Sequence, residues 1–289
     1  MPPRIDIFSL QSATNPYPTY ALLREQAPVY RTEPHGYWAV SRHGDVAFVL
    51  KHDELFSSDT GADHGPPPHV DEELWRELAI LRSNNVVSAD PPTHTRLRKL
   101  VTGAFGPRAM AALEPRILQI TTHYLDALLA KDEPELVADL AIPLPVTVIA
   151  EMLGIDPARR ADFKRWSDDI LEMGQLTRHP LMGRERMAEL IRSRRELVEH
   201  FRTLIDARRA HPGSDLVSDL VRREVEEEML SADEVLSMVV LLLIAGNETT
   251  TNLIATGTHL LLEHPEALAA LRADPALIPN FIEETLRFE

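Results

Sequence analysis

Residues 231–251 read SADEVLSMVVLLLIAGNETTT, and the fold follows from how this stretch divides. Ser231-Ala232-Asp233-Glu234 has the spacing of a capping box, in which Ser231 caps a helix and Glu234 reaches back to the backbone N–H of the cap. The run from Val235 to Ala245 is then apolar except at Ser237. A helix that is apolar nearly all round, as this one is through Ile244, belongs in the middle of a helical protein. The run is too short for a bilayer span, so it reads as a buried core helix. Its continuation is polar: Gly246, Asn247, Glu248, Thr249, Thr250 and Thr251. Glycine weakens a helix interior by about 1 kcal/mol relative to alanine, and threonine hydroxyls draw carbonyls of the preceding turn away from the ladder. Either a ligand approaches the helix backbone here, or the helix ends here and the threonines face solvent. These residues alone leave both readings open.

Outward from that segment the pattern stays helical. Apolar residues recur at three- and four-residue spacing from about Asp45 onward. The spacing predicts long helices over Arg108–Leu129 and Gly183–Arg209, the second stopped by His211-Pro212-Gly213. Pro265 and Pro275 punctuate the chain beyond the central helix, and a last amphipathic segment runs from Pro279 to Arg287. Strand signal is confined to the start, where Val29–Arg31 and Tyr37–Val40 flank Pro34-His35-Gly36 and read as a hairpin. Gly61 to Pro68, with two glycines and three consecutive prolines, reads as a loop. There is no repeat and no shift of composition, so residues 1–289 form one mainly α domain. Its central helix lies at about 231–263 and its last at about 279–287.

Charge and cysteine usage narrow the function. The 289 residues carry a net charge of −15, which disfavours binding to a phosphate backbone. There is no Cys, hence no disulfide framework, no cysteine zinc cluster and no thiol nucleophile. Met1-Pro2-Pro3-Arg4-Ile5-Asp6 lacks the pattern of a signal peptide. The expectation is a soluble, cytoplasmic protein that binds neither nucleic acid nor membrane.

Ala245-Gly246-Asn247-Glu248-Thr249-Thr250-Thr251 is similar to the oxygen-activation signature of the cytochrome P450 family. Asp90-Pro91-Pro92-Thr93-His94-Thr95-Arg96-Leu97-Arg98 resembles the segment with which that family grips the haem propionates. Glu284-Thr285-Leu286-Arg287 resembles its Glu-x-x-Arg motif, and Leu140–Pro143 through Leu153-Gly154 resembles one of its helices. The motifs stand in the family's order, and the resemblance covers essentially the whole chain. It implies a cytochrome P450 fold, C-terminally incomplete, with a small β-hairpin near the N-terminus. The activity implied is that of a haem-thiolate monooxygenase, which inserts one oxygen atom of O2 into a hydrophobic organic molecule.

The residue chemistry is compatible with each match. His94 and Arg98 are four apart on one helical face and offer donors to a pair of carboxylates, which arginine grips bidentately. On its own such a pair reads as a basic solvated face; the resemblance makes both of them haem-binding residues. Glu284 and Arg287, three apart, read alone as an exposed ion pair; the resemblance makes them a buried structural tie. It makes Glu248 and Thr249 catalytic, passing protons to dioxygen so that the O–O bond splits heterolytically. It makes Ala245 and Gly246 small so that the haem plane can lie against the helix.

The resemblance also has a gap. The family's axial ligand is a cysteine, which this sequence lacks, so no metal ligand can be named. His259 and His264, five apart and followed by Pro265, are no substitute. Haem b is therefore expected in a complete enzyme and weakly or not at all in these 289 residues, which read as a truncated or partial sequence. The implied electron donor is a ferredoxin or a flavin reductase. Between Thr93 and Arg116 stand Arg96, Arg98, Lys99, Arg108 and Arg116 against Glu114 alone. With Arg98 on a propionate, Arg96, Lys99 and Arg108 are left to dock that partner. The substrate pocket is expected between the loop from Asp59 to Ser88, the segment from Gly174 to Met182, and the central helix near Leu243. The rival readings are a non-catalytic all-helical scaffold and another small-molecule enzyme, for which no nucleophile elbow, phosphate loop or dinucleotide fingerprint is present.

Overall fold

The computed structural model describes residues 5–33, 36–59, 72, 85–175, 184–225 and 230–288. Among these residues the helices are α1 (Leu10–Thr14), α2 (Tyr17–Gln26), α3 (His43–Lys51), α4 (Thr93–Ala104), α5 (Pro107–Leu129), α6 (Pro143–Met152), α7 (Arg160–Gln175), α8 (Arg184–Ala210), α9 (Leu216–Val225), α10 (Ala232–Glu263), α11 (Pro265–Ala273) and α12 (Ile278–Phe288). A π-helical turn, Val137–Ala141, precedes α6. The fold is mainly helical, as the spacing of apolar residues predicts. The hairpin is present as β1 (Val29–Arg31) and β2 (Trp38–Val40), antiparallel, with Tyr30 opposite Ala39. The loop expected at Gly61–Pro68 lies outside the described residues.

The centre of the molecule is α10, packed by α6, α7, α8, α9 and the π turn, with α11 and α12 against its second half. Val235, Val239 and Leu243 are wholly buried in one cluster with Phe163, Trp166, Leu197 and Phe201. Each such side chain contributes about 1.5–3 kcal/mol by leaving water. The helix starts as its sequence dictates: Ser231 Oγ accepts from Glu234 N at 3.2 Å, and Glu234 Oε2 accepts from Ser231 N at 2.8 Å. It does not end at Ala245-Gly246 but runs on to Glu263, which excludes the reading in which the motif terminates the helix. By length and mean hydropathy α10 would also reach across a bilayer. The apolar run alone did not reveal that property, which buried core helices share. Val235 to Val240 and Leu243 are buried against neighbouring helices.

Glycine is required where α6 ends. Gly154 has φ of +70°, a backbone region that L side chains avoid, and an added Cβ would lie 2.8 Å from Arg208 Nη2. Arg208 is held there, donating from Nη2 to the Gly154 carbonyl at 3.2 Å and from Nε to Asp215 Oδ2 at 2.6 Å. One guanidinium thereby ties the end of α6 to α8 and to the start of α9.

Candidate functional site

Successive residues of an α-helix turn by about 100°, so Ala245, Glu248, Thr249 and Asn252 share one face of α10. All four are exposed, whereas Leu243 and Asn247, on the far side, are buried. A core helix thus presents an open stripe at its middle, carrying a methyl group, a carboxylate, a hydroxyl and an amide. Glu248 makes no hydrogen bond or ion pair among the described residues. Thr249 Oγ1 donates to the Ala245 carbonyl at 2.7 Å. That bond points the hydroxyl proton into the helix and leaves the oxygen lone pairs free to accept from the open side.

The remaining motif residues face inward. Gly246 looks at α6, where an added Cβ would lie 3.3 Å from Ile149 Cγ1. The missing side chain lets α6 and α10 approach at this position. Asn247, only 4% exposed, donates from Nδ2 to Ser167 Oγ of α7 at 3.2 Å. Thr251 Oγ1 donates to the Ala141 carbonyl of the π turn at 2.9 Å. Sequence reasoning missed both bonds. Their signal was a polar residue on an apolar helical face, but the partners lie 80 and 110 residues away and no local pattern names them.

The segment before α4 is fixed by Asp90, which accepts from Ser57 Oγ at 2.5 Å and from Ser58 N at 2.8 Å. Those bonds, the Ser57 hydroxyl first and the Ser58 N–H second, hold its carboxyl below the ordinary value, with a smaller contribution from His94. Leu97 and Leu100, buried in the core, set the rotation of α4. His94 is then half-buried and Arg98 exposed, and Arg98 makes no ion pair among the described residues. Arg96 takes a different course. Its guanidinium forks onto Glu234, Nη1 to Oε2 at 3.3 Å and Nη2 closer still to Oε1. Burial by itself would raise the Glu234 carboxyl; the Arg96 hydrogen bond, the Ser231 backbone N–H and the Arg96 charge together hold it below its ordinary value. Arg96 therefore joins α4 to the first turn of α10, which removes it from the expected outward docking patch. Of that patch Lys99 is exposed, and the Arg108 side chain lies outside the described residues.

Glu284 and Arg287 pair with each other through two bonds, at 2.7 and 2.5 Å, with side chains 59% and 68% exposed. The burial implied by the resemblance is absent at this pair: among the described residues each is the other's partner. Of the expected substrate walls, 60–71, 73–84 and 176–183 lie outside the described residues. Leu243 is wholly buried in the core. The wall that α10 can offer is therefore the Ala245–Asn252 stripe and not the face of Leu243. Clefts lined by described residues are found elsewhere in the molecule. One of about 630 Å³ between α7 and α8 is lined by Lys164, Arg165, Asp169, Arg186 and Glu196, which are engaged with one another or with neighbours. Among the described residues no three His, Asp or Glu side chains are grouped to hold a metal. His259 and His264 pair instead with Glu263 and Glu266.

Comparison with known proteins agrees with this architecture. The family profile described as Cytochrome P450 matches residues 161–288. Cytochrome P450 monooxygenase PikC of Streptomyces venezuelae is 39% identical over all of this chain, and the chain spans 66% of its length. Among solved structures, cytochrome P450 CYP109Q5 from Chondromyces apiculatus superposes with a TM-score of 0.81 at 42% identity, covering 98% of this chain and 67% of that one. P450BioI, in complex with acyl carrier protein ligated to hexadec-9Z-enoic acid, gives 0.84 at 32% identity, covering 97% of this chain and 70% of its own.

Proposed function

The chain belongs to the cytochrome P450 family, and we propose that residues 1–289 belong to a single monooxygenase domain, of which they form the oxygen-activating helix and the part that grips the haem edge. The residues present fit part of a haem b. Arg98, free of carboxylate partners among the described residues, and the half-buried His94 suit its propionates. The Ala245 methyl, exposed between Glu248 and Thr249, suits the flat face of the ring. The iron's thiolate is not among these residues, because the sequence contains no Cys. The proposal therefore concerns the protein when a segment bearing a thiolate is present. In these 289 residues alone, binding should be weak or absent.

Haem b with an axial thiolate supplies the chemistry of O–O cleavage. This chain's part is the protons. Glu248, exposed on the open stripe, takes a proton from bulk water and passes it to a water held beside Thr249, then is reprotonated from solvent. Thr249 Oγ1 accepts from that water in the orientation described. To donate outward its hydroxyl must turn from the Ala245 carbonyl, which its short rotor permits. A hydrophobic small molecule is the substrate class; the acyl chain carried in P450BioI agrees with that class. A ferredoxin or flavin reductase in the cytoplasm is the electron donor, with Lys99 the described cation left to meet it.

The observation that carries this reading is an acid and an alcohol, adjacent in sequence, on the open face at the middle of the core helix. In a haem-loaded enzyme, Thr249→Ala should raise peroxide released per electron consumed at the expense of product. Glu248→Gln should lower kcat more than it raises KM. Full coupling in Thr249→Ala would remove Thr249 from this role.

A further inference from the structure

Six consecutive helical residues cannot all face one ligand, and the motif divides. Glu248 and Thr249 look out. Asn247 and Thr251, one turn apart on the opposite face, make the two hydrogen bonds that join the middle of α10 to Ser167 of α7 and to the Ala141 carbonyl. We infer that Asn247, with Thr251, is a positioning residue that fixes the rotation of α10 about its own axis and so holds Glu248 and Thr249 on the open side.

Directionality is the reason. Around Asn247 the buried face of α10 is mostly Leu, Val and Met, with Ser237 more than two turns earlier and Gly257 further on, and apolar contacts tolerate small rotations of the helix. A hydrogen bond does not: it weakens steeply once donor and acceptor leave line. Buried polar groups best earn a structural explanation as setters of register. The Asn247 site carries the mark of such a role. Asn247 and Ser167 are 4% and 1% exposed, and Asn247 Oδ1 has no partner among the described residues. An unmatched buried carbonyl lowers stability, and a leucine of similar volume would pack there without that cost. Asparagine therefore supplies something packing does not.

The inference rests on the proposed role of Glu248 and Thr249 only for its purpose; the register itself can be measured without haem or turnover. The 289-residue chain has no Cys, so any introduced thiol is unique. Asn252→Cys places one on the open stripe, and Ile254→Cys places one on the opposite face. Thiol-labelling rates at the two positions give a ratio that reports rotation of the helix. The paired variant Asn247→Leu with Ser167→Ala replaces both partners by apolar groups, which leaves stability nearly unchanged. A purely structural role predicts an unchanged ratio. A positioning role predicts that the ratio of Asn252→Cys to Ile254→Cys falls about tenfold as other rotations become populated. Thr251→Val, which removes only the hydroxyl, should lower it in the same direction and decides the matter if the paired variant does not fold. A ratio within about twofold of the parent in the folded variants overturns the inference. That outcome would leave the peroxide measurement on Thr249→Ala unaffected, so the two failures are distinguishable.

Discussion

Replacing Glu234 by glutamine tests the joint between α4 and α10. Glu234 has two tasks: its Oε2 completes the capping box from Ser231 N, and its carboxylate holds the fork of Arg96. Glutamine can still fill the third position of a capping box, so Glu234→Gln removes the charge and spares the cap. The Glu234 side chain is 12% exposed and that of Arg96 39%. The pair thus falls between a solvent-screened bridge, about 0.2–1 kcal/mol, and a buried charge-assisted bond, about 1.5–3 kcal/mol. A loss of about 1–2 kcal/mol at neutral pH is expected for the glutamine variant. Glu234→Ala should lose about 1 kcal/mol more, the usual worth of a cap. The pH dependence gives a second check. The Glu234 carboxyl lies below its ordinary value of 4.5 in the folded chain. Its contribution is therefore fully present above about pH 4.5 and disappears as pH falls through the lower folded value. Urea unfolding of parent, Glu234→Gln, Arg96→Ala and the double variant, followed by circular dichroism at several pH values, gives the coupling energy. A glutamine variant as stable as the parent at pH 7, or a deficit that persists unchanged in acid, would refute the reasoning.

Further tests concern packing and titration. His200 lies against Trp166, ring centroids 5.2 Å apart, and its Nε2 is buried without a partner among the described residues. Burial, and then the nearby Arg159, push its pKa below the ordinary 6.5. The unfolded chain therefore binds the proton first as pH falls through 6.5, and stability should decline below that pH; His200→Phe should remove this part of the slope in a urea titration. Gly154→Ala should destabilise by about 2–3 kcal/mol, from the left-handed backbone and from displacement of the Asp215 carboxylate and the Arg208 guanidinium paired with it. Its measure is the midpoint of thermal or urea unfolding, and a neutral result would mean that the Asp215–Arg208 pair moves aside freely. Glu284→Gln and Arg287→Ala, on an exposed pair, should leave the unfolding midpoint of this chain where it is.

What was legible in the sequence was what local chemistry decides. Ser231 with Glu234 marked the start of α10, Pro265 its end, and Val29–Arg31 with the residues after Tyr37 the hairpin, because caps, prolines and alternation act within a few residues. Glu248 and Thr249 stand as the proposed site through resemblance alone; the structure shows both exposed on one face of α10. The rest depended on contacts across the chain. Nothing near Arg96 in sequence points to Glu234, so a basic run looked like a docking patch. Nothing near Gly246 in sequence points to Ile149, so the close approach of α6 at this glycine had no local signal. Leu243 looked like a pocket wall because periodicity tells which residues share a face but not what that face meets.

These corrections have one geometric source. A motif of consecutive residues on a helix sweeps the full circle within about 3.6 residues, so part of any such motif must serve packing. In α10 the division is complete: Ala245, Glu248 and Thr249 face outward, Gly246 receives α6, and Asn247 and Thr251 bond to α7 and to the π turn. The inward half sets the angle at which the outward half is presented, and the Arg96–Glu234 fork sets where α4, bearing His94 and Arg98, sits against the same helix. A proton relay needs its groups placed within hydrogen-bond reach of the reacting atoms. The residues that secure that placement here are those that touch no ligand, and substitutions at Asn247, Ser167 or Glu234 should therefore disturb the proposed chemistry from a distance.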